Sequence, residues 1–266
     1  MKKLPLLMTA SVDTRGMSQA RFSPEQREEM YIQTLRFYGK ELLDKGDYTL
    51  VFTDNSGWDL NRIKAALPER QLKKTEFLSL DPAGFDVSRG KGYNEVLLIR
   101  AAIEQSAYIR ESRAFFKATG RYPVYNIRYF LDYGSREILE KQKDLYIDIK
   151  DHSLYRKLGL SWCSRFADVR LFGVQNTFFL DSVFTENNQL NDQEGRLFEG
   201  LMYNLIKPRM DNRQLVYRFN REPRFGGLEG SLIPAFSFAE DHNSLKSRIK
   251  RLTGNVLRTL APDFLF

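Results

Sequence analysis

A short glycine-rich segment with a lysine, Gly90 to Glu95, combines residue types that could bind an anion. The residues after it have the apolar spacing of a helix, so Lys91 and Gly92 fall at a predicted helix start. The first N–H groups of a helix have no partner within it, and the helix dipole favours negative charge there. The segment could therefore hold a nucleotide diphosphate. The alternative is a tight turn, with Glu95 favouring the first helical turn electrostatically.

Two cations flank a glycine at the end of a predicted strand. Lys117 and Arg121 lie on either side of Thr119-Gly120. On a turn, the two cations could neutralise a diphosphate leaving group, and Gly120 would allow the backbone to approach closely. In the alternative interpretation, Lys117 is solvated and Arg121 pairs with a surface carboxylate. The sequence leaves both interpretations open.

Acidic residues at and before a predicted helix that begins at Glu194 are the candidates for a general base. We assign this role to Glu199 and Glu194, with Asp192 as a further possibility. Each of them could instead be an ordinary surface carboxylate. The two histidines fit the role less well, because His152 lies in a polar stretch and His242 precedes the terminal helix.

The sequence contains no Asp-x-Asp motif, which many nucleotide-sugar enzymes use to hold Mg²⁺ or Mn²⁺ on a diphosphate. Asp144, Asp148 and Asp151 are spaced four and three residues apart, which predicts one solvated face of a helix. One cysteine and two histidines exclude a zinc site built from these residue types alone. We therefore expect no metal and no firmly bound cofactor.

Residues 242–266 have the pattern of a basic amphipathic helix with a short tail, following a single domain over residues 1–241. This segment carries a net charge of +4, out of +7 for the whole chain. The apolar residues form one helical stripe: Leu245, Ile249, Leu252, Val256, Leu257 and Leu260. The opposite side carries the predicted membrane-binding residues: Lys246, Arg248, Lys250, Arg251 and Arg258. Such a helix suits an anionic lipid surface, although it could also dock on the core of the domain.

The composition is that of a folded protein from a reducing compartment. The chain has 266 residues, of which 42% are hydrophobic and 28% charged, enough for one large α/β domain. Its single cysteine, Cys163, cannot form an intrachain disulfide. No segment approaches the roughly 20 apolar residues that span a bilayer, and Pro5 interrupts the short apolar run at the start. The expected location is cytoplasmic, with the basic segment 242–266 at an anionic membrane surface.

Strands and helices alternate along the first half of the chain. The predicted strands are 4–12, 48–53, 76–80, one that begins at 114 and one that begins at 169. The predicted helices are 24–43, 60–67, one that begins at 90 and 194–206. This alternation indicates parallel β-α units, whose ligands bind at the carboxyl edge of the sheet. The loops after Val12, Thr53 and Leu80 are therefore candidates for the ligand site.

Two segments in this order resemble motifs of bacterial glycosyltransferases of capsule and lipopolysaccharide biosynthesis. They are Lys91-Gly92-Tyr93-Asn94-Glu95 and Lys117-Ala118-Thr119-Gly120-Arg121-Tyr122. Members of this group often have Lys-Gly-Tyr-Gly-Glu followed by Lys-x-Thr-Gly-Arg-Tyr. The segment 227–231, Gly-Leu-Glu-Gly-Ser before a basic terminal helix, is also similar. The resemblance spans most of the chain, and Asn94 departs from it where a glycine is common.

The resemblance implies a GT-A-like α/β fold, with one mixed, mostly parallel sheet flanked by helices. It also implies transfer of a sugar from a nucleotide-sugar donor to a lipid-linked saccharide at the inner membrane face. Around the donor it places these residues: Thr9, Ser11 and Asp13 at the nucleotide base, Lys91, Gly92 and Tyr93 along the cleft, and Lys117, Thr119, Gly120 and Arg121 near the diphosphate. Glu199 would be the acid on the acceptor side.

Two other classes of function stay open at this point. A non-catalytic scaffold of a polysaccharide-assembly complex would keep the fold and the tail without binding a donor, and the missing Asp-x-Asp agrees with it. A basic nucleic-acid-binding protein would fit the net charge, but the sequence carries no recognisable motif of that class. The expected partners are therefore a nucleotide-sugar, a lipid-linked acceptor and an anionic membrane surface, with no nucleic acid.

Overall fold

A computed structural model describes residues 3–17, 21–151, 165–227, 252–256, 258 and 260. Its strands are β1 (Leu6–Ala10), β2 (Leu50–Asp54), β3 (Thr75–Ser79), β4 (Ala114–Thr119), β5 (Leu145–Tyr146), β6 (Ile149–Asp151), β7 (Arg165–Ala167), β8 (Leu171–Gln175) and β9 (Leu215–Val216). Its α-helices are α1 (Pro24–Tyr38), α2 (Asn61–Lys64), α3 (Glu69–Leu72), α4 (Gly90–Gln105), α5 (Ala107–Ser112), α6 (Ile127–Ser135), α7 (Asn176–Phe178) and α8 (Phe198–Ile206).

Within these residues, seven strands form one sheet in the order β3-β2-β1-β4-β8-β5-β9. Strands β3, β2, β1 and β4 are parallel to one another, β8 runs antiparallel to both β4 and β5, and β9 is parallel to β5. A separate antiparallel pair is formed by β6 and β7. The predicted fold class, an α/β fold with one mixed, mostly parallel sheet flanked by helices, is confirmed.

Helix α1 begins where the sequence predicts. The Ser23 side chain accepts a hydrogen bond from the N–H of Gln26, and the Gln26 side chain accepts one from the N–H of Ser23. This reciprocal capping box satisfies two N–H groups that the helix itself leaves without partners, and such a cap contributes about 1 kcal/mol. A π-helical turn, Gly39–Leu43, follows directly on α1, so the predicted end of the helix near Leu43 is also confirmed.

The sheet separates two hydrophobic layers, and this arrangement places the helices that carry acidic residues. Successive side chains of a strand point to opposite faces, so Leu6 and Met8 join one layer and Leu7 joins the other. Helices α1 and α6 pack in the first layer, and α4 and α8 pack in the second. Each fully buried aliphatic side chain contributes roughly 1.5–3 kcal/mol. As a result, α4 and α8 are fixed on the same face of the sheet.

The prediction of a solvated helical face at Asp144, Asp148 and Asp151 is wrong. Asp144 directly precedes the short strand β5, Asp148 lies between β5 and β6, and Asp151 ends β6; Asp148 is only 1% exposed. The Asp148 carboxylate forms a two-pronged ion pair with Arg258, with N–O distances of 2.7 and 3.1 Å. It also accepts a hydrogen bond from the N–H of Phe219 at 3.1 Å. The physical reason is that a buried carboxylate needs such partners, and the fold supplies them.

The prediction that Arg258 faces a membrane is therefore also wrong, because this arginine is 4% exposed and bound to Asp148. Residues 252–256, 258 and 260 are helical, as the sequence predicts. Three apolar residues of the predicted stripe, Leu252, Val256 and Leu260, are exposed by 65%, 53% and 77%. The helix thus buries its arginine against the domain and directs part of its apolar stripe outward.

Several predicted features lie outside the described residues. These are the cations Lys246, Arg248, Lys250 and Arg251, the three side chains His152, Cys163 and His242, and the motif residues 228–231. Among the described helices, none has the length and apolar character that a bilayer crossing requires. The prediction of a domain over 1–241 followed by a terminal helix stays a prediction.

Candidate functional site

The parallel strands end at one edge of the sheet, and the loops predicted to bind a ligand lie there. In the register, Thr9 of β1 is opposite Thr53 of β2 and Thr119 of β4. The chain therefore leaves β1, β2 and β4 at the same level. This is the edge at which open α/β sheets bind their ligands.

The loops after β1 and β2 are tied together by a buried carboxylate. Asp54, which is fully buried, accepts hydrogen bonds from the N–H and the hydroxyl of Ser56 at 2.8 and 2.7 Å. The Ser56 hydroxyl in turn accepts a hydrogen bond from the N–H of Asp13 at 3.1 Å. The Ser11 hydroxyl donates to the side-chain oxygen of Asn55 at 2.6 Å. Ser11 and Asp13, predicted to line a nucleotide base, are thus held in a defined loop at the ligand edge.

Lys117 lies inside the protein, within a network of polar partners. Its ammonium group is fully buried, lies 2.7 Å from Glu95 Oε1, and donates to Thr119 Oγ1 at 3.0 Å and to the Val169 carbonyl at 2.7 Å. The Thr9 hydroxyl donates to the same oxygen of Glu95 at 2.8 Å. Each N–H of the ammonium group has a partner, and Glu95 neutralises its charge. The structure therefore places Lys117 where it joins β1, β4 and α4 to each other.

The start of α4 is occupied by a carboxylate of the protein itself. The N–H of Lys91 donates to Asp192 Oδ2 at 2.8 Å, and the N–H of Gly92 lies 3.4 Å from both carboxylate oxygens. Gly90 has a φ of +86°, and a Cβ at this position would lie 2.4 Å from the Cβ of Asp192. The helix start does bind an anion, as its free N–H groups favour, but that anion is Asp192. The Lys91 side chain is exposed and available to a ligand.

Glu199 lies in the first turn of α8, close to this group of charges. Burial raises the pKa of the Glu199 carboxyl, the cation of Lys91 lowers it, and the carboxylates of Glu95 and Asp192 raise it further. Burial also raises the pKa of Asp192, against the opposing effect of the N–H groups at the start of α4. A carboxyl group whose pKa is raised by burial, within the electrostatic reach of a lysine, is a candidate for proton transfer.

Glu194, the second predicted base, lies in a different environment. Its side chain is 55% exposed and pairs with Arg196, and it accepts a hydrogen bond from the side chain of Asn191 at 2.8 Å. Exposed ion pairs of this kind contribute little, about 0–1 kcal/mol. The structure thus brings Glu199, and not Glu194, into the cluster with Glu95.

Tyr93, predicted along the donor cleft, packs against the guanidinium group of Arg89, which lies 4.5 Å from the ring centre.

Gly120 and Arg121 follow β4 where the chain turns over β1. The N–H of Gly120 donates to the Thr9 carbonyl at 3.0 Å, and a Cβ at Gly120 would lie 2.8 Å from that oxygen. The close approach predicted for this glycine is therefore made by the backbone of β1. The guanidinium group of Arg121 lies 5.0 Å from the ring centre of Tyr122. Its Nε and Nη1 atoms are buried and have no hydrogen-bond partner in the part of the chain that is described.

Sequence reasoning missed two residues of this region. Glu95 was assigned only to the helix start, because its pairing with Lys117 depends on how α4 packs against the sheet. Arg27 of α1 was not singled out at all, although its Nε and Nη2 atoms donate to the Ser11 carbonyl at 2.8 and 2.6 Å. A charged residue on the buried face of a helix, four residues before Tyr31, is the signal that could have drawn attention to it.

Across the described ranges, no group of three or more His, Cys, Asp or Glu side chains is placed to hold a metal ion. The carboxylates of Glu95 and Asp192, which raise the pKa of Glu199, already have partners. Glu95 binds Lys117, and Asp192 binds the N–H groups at the start of α4.

No protein-family model matches the chain, and no curated protein sequence matches it. Solved structures with a similar course of the chain include core-mannan synthase A from Aspergillus fumigatus in a Mn/GDP form. That likeness has 8% sequence identity and a TM-score of 0.45, and covers 77% of this chain and 70% of the other. The galactosyltransferase LgtC in complex with donor and acceptor sugar analogues is similar at 12% identity and a TM-score of 0.44, over 94% and 95% of the two chains.

A second LgtC structure, of its active-site mutant Q189E, has 10% identity and a TM-score of 0.45, and covers 80% of this chain and 72% of the other. All three are likenesses of fold. The function proposed next therefore depends on the residues of this chain and on the motifs in its sequence.

Proposed function

We propose that this protein is a glycosyltransferase, which moves a sugar from a nucleotide-sugar donor to a growing lipid-linked saccharide of the capsule or lipopolysaccharide type. The observation that carries this proposal is Glu199, a carboxyl group of raised pKa beside the exposed cation of Lys91. Both residues lie near the carboxyl edge of the parallel strands, where α/β sheets bind ligands. The motif resemblance around Lys91 and Arg121 gives independent support.

In the proposed reaction, the Glu199 carboxylate accepts the proton of an acceptor hydroxyl as its oxygen forms a bond to the anomeric carbon of the donor sugar. The bond between that carbon and the phosphate oxygen breaks, and the phosphate leaves with the electron pair. Lys91 and Arg121 would stabilise the negative charge of the departing group. Because the sequence lacks Asp-x-Asp, we propose that these cations take over part of the role that a metal has in other nucleotide-sugar enzymes.

Lys117 has a positioning role in this proposal. Its ion pair with Glu95 and its hydrogen bonds link β4 to α4, the helix whose start binds Asp192. The network thereby fixes the positions of the end of β1, of Lys91 and of the region of Glu199 relative to one another. Such preorganised charges are worth more than mobile ones, because no energy is spent on reorienting them during reaction.

A membrane surface is the proposed place of action, with the protein at the inner face of the cytoplasmic membrane. Supporting this are the net charge of +4 in residues 242–266 and the exposed side chains Leu252, Val256 and Leu260. Apolar side chains beside basic residues bind anionic lipid interfaces through both burial and charge. A lipid-linked acceptor would be met at the same surface.

The test compares two glutamates of the same region in a transfer assay. The purified protein is incubated with UDP-, GDP-, dTDP- and CMP-linked sugars, and release of the free nucleotide is measured. Glu199→Gln should reduce turnover by on the order of 100-fold, the usual effect of losing a general base. Glu194→Gln, a matched change of an exposed side chain, should stay close to wild type. Equal turnover of Glu199→Gln and wild type would reject the assignment.

One observation favours the second candidate function, a non-catalytic scaffold. Lys117 and the N–H groups at the start of α4, which the sequence assigned to a donor, are bound to Glu95 and Asp192 instead. A scaffold would need only this internally satisfied fold and the tail. A scaffold would bind none of the four donor classes and would release no nucleotide from them. The transferase would bind a donor and release its nucleotide.

A further inference from the structure

Two arginines at the carboxyl edge of the sheet share Tyr31 as a neighbour, and neither has a carboxylate partner among the described residues. Arg27 belongs to α1, and Arg121 follows β4. We propose that the two guanidinium groups form a binding site for a phosphate group. Naming that phosphate as part of the donor rests on the function proposed above, but the site itself follows from the two arginines.

The side chain of Arg27 is aimed at the end of β1 and is almost completely buried, with an exposure of 6%. Its Nε and Nη2 atoms both donate to the Ser11 carbonyl, and Nη2 lies 3.5 Å from the Tyr31 hydroxyl. These partners are neutral, so they satisfy hydrogen bonds, and within the described part of the chain they supply no opposite charge. A buried ion in this situation is costly for the folded state.

Arg121 adds a second positive charge to the same place. Its Nε and Nη1 atoms are buried and have no hydrogen-bond partner in the described chain, and its positive charge acts on Arg27. Burial lowers the pKa of Arg27, and the positive charge of Arg121 lowers it further. Burial lowers the pKa of Arg121, but Tyr31 and Tyr122 raise it above its usual value, so the arginine keeps its charge at this edge. An anion that contacts both guanidinium groups would balance positive charge that their neutral partners do not.

The chemistry of the pair favours phosphate. A guanidinium group offers parallel N–H donors that match the oxygens of a phosphate, and two of them balance its double negative charge. The pair lies beside Ser11 and Gly120, at the edge where parallel strands end and ligands bind. Neutral polar ligands would leave the repulsion between the arginines in place.

The alternative is a purely structural pair, in which Arg27 clamps the Ser11 carbonyl and Arg121 packs against Tyr122. The two interpretations predict different effects of Arg121→Gln on the melting temperature of the protein without ligand. In a phosphate site, removing one of two uncompensated cations relieves repulsion, so the melting temperature should stay equal or rise. In a structural pair, the same change removes packing and should lower it.

The experiment titrates inorganic pyrophosphate, and separately inorganic phosphate and UDP, into the full-length protein by calorimetry. Arg27→Gln and Arg121→Gln should each weaken pyrophosphate binding at least about tenfold, as loss of a charge-assisted contact does. Arg70→Gln is the matched control, because Arg70 is 73% exposed and paired with Asp44, and its affinity should equal that of wild type. Arg27→Lys, which keeps the charge, serves if Arg27→Gln does not fold, and it should retain binding better than Arg121→Gln.

Each outcome decides a separate question. Unchanged pyrophosphate affinity in Arg121→Gln, or no binding to wild type, would overturn the phosphate site. Pyrophosphate binding that depends on both arginines, without binding of UDP, would keep the site and reject UDP as its source. Binding of UDP that is lost in both variants would support the site and assign it to the nucleotide diphosphate.

Discussion

At the scale of single residues, the site depends on which charges have partners and which do not. Lys117 and Arg121 come from one motif and are four positions apart, yet they have opposite surroundings. The first is neutralised by Glu95, while two nitrogen atoms of the second have no partner in the described chain. Sequence alone predicts both as cations at a strand end, because it does not give the direction of the Lys117 side chain in β4 or of the Arg121 side chain after it.

Glu199→Gln should stabilise the protein at neutral pH, and the gain should depend on pH. The pKa of Glu199 in the folded state is raised above its ordinary value of 4.5. The folded protein therefore holds this proton more tightly than the unfolded chain, and stability is lost as pH rises through that interval. Each unit of pKa difference corresponds to about 1.4 kcal/mol. The glutamine variant is free of this loss.

Urea unfolding of Glu199→Gln and wild type, from about pH 4 to about pH 8, measures the effect. The variant should gain free energy of unfolding relative to wild type as the pH increases, up to a plateau. Glu194→Gln, at an exposed position, is the control and should show a flat difference. A flat difference for Glu199→Gln as well would mean that its carboxyl group titrates normally.

At the scale of elements, the sequence predicts regular structure well where local signals agree. Strands β1, β2 and β4 and helices α1 and α4 begin within two residues of their predicted starts, because caps, glycines and apolar spacing point to the same boundaries. The segment with Asp148 was predicted wrongly, since a spacing of four and three suits a helix. Residues 145–147 and 149 are apolar and include two isoleucines, and this pattern instead predicts a buried strand.

The start of α4 supplies a test of an element rather than of a side chain. Gly90→Ala should lower the free energy of unfolding by about 2 kcal/mol or more, because its backbone conformation is nearly restricted to glycine. A methyl group there would also collide with Asp192. Gly200→Ala in α8 is the control: the space around it is open, so alanine should stabilise the helix by up to about 1 kcal/mol.

Chemical unfolding of both variants checks this pair of predictions. The change in the free energy of unfolding should have opposite signs for the two glycines. A similar small change at Gly90 and Gly200 would show that Asp192 does not hold the start of α4 in solution.

At the scale of the whole molecule, the terminal helix combines a buried anchor with an exposed apolar surface. The pattern of basic and apolar residues was readable from the sequence. Which side of the helix meets the domain was not, because that depends on Asp148, a residue 110 positions earlier in the chain. Deleting the tail would remove the Arg258 ion pair together with any lipid contact, so substitutions at exposed positions give the sharper test.

A variant with Leu252→Ser, Val256→Ser and Leu260→Ser should bind anionic lipid vesicles at least about tenfold more weakly than wild type. The three side chains are exposed, so the melting temperature should stay within about 2 °C. Sedimentation with phosphatidylserine vesicles measures binding, and phosphatidylcholine vesicles are the control for charge. Equal sedimentation of the variant and wild type would remove these residues from the membrane contact.

The central claim, that the carboxyl edge of this sheet binds a nucleotide-sugar, is tested most directly by a thermal-shift screen. The purified protein is heated with UDP-, GDP-, dTDP- and CMP-linked sugars, each with and without Mn²⁺. A donor at a hundred times its dissociation constant should add about 2.7 kcal/mol of stability, so one nucleotide class should raise the melting temperature clearly. The absence of a shift with all four classes, with and without Mn²⁺, would contradict the claim.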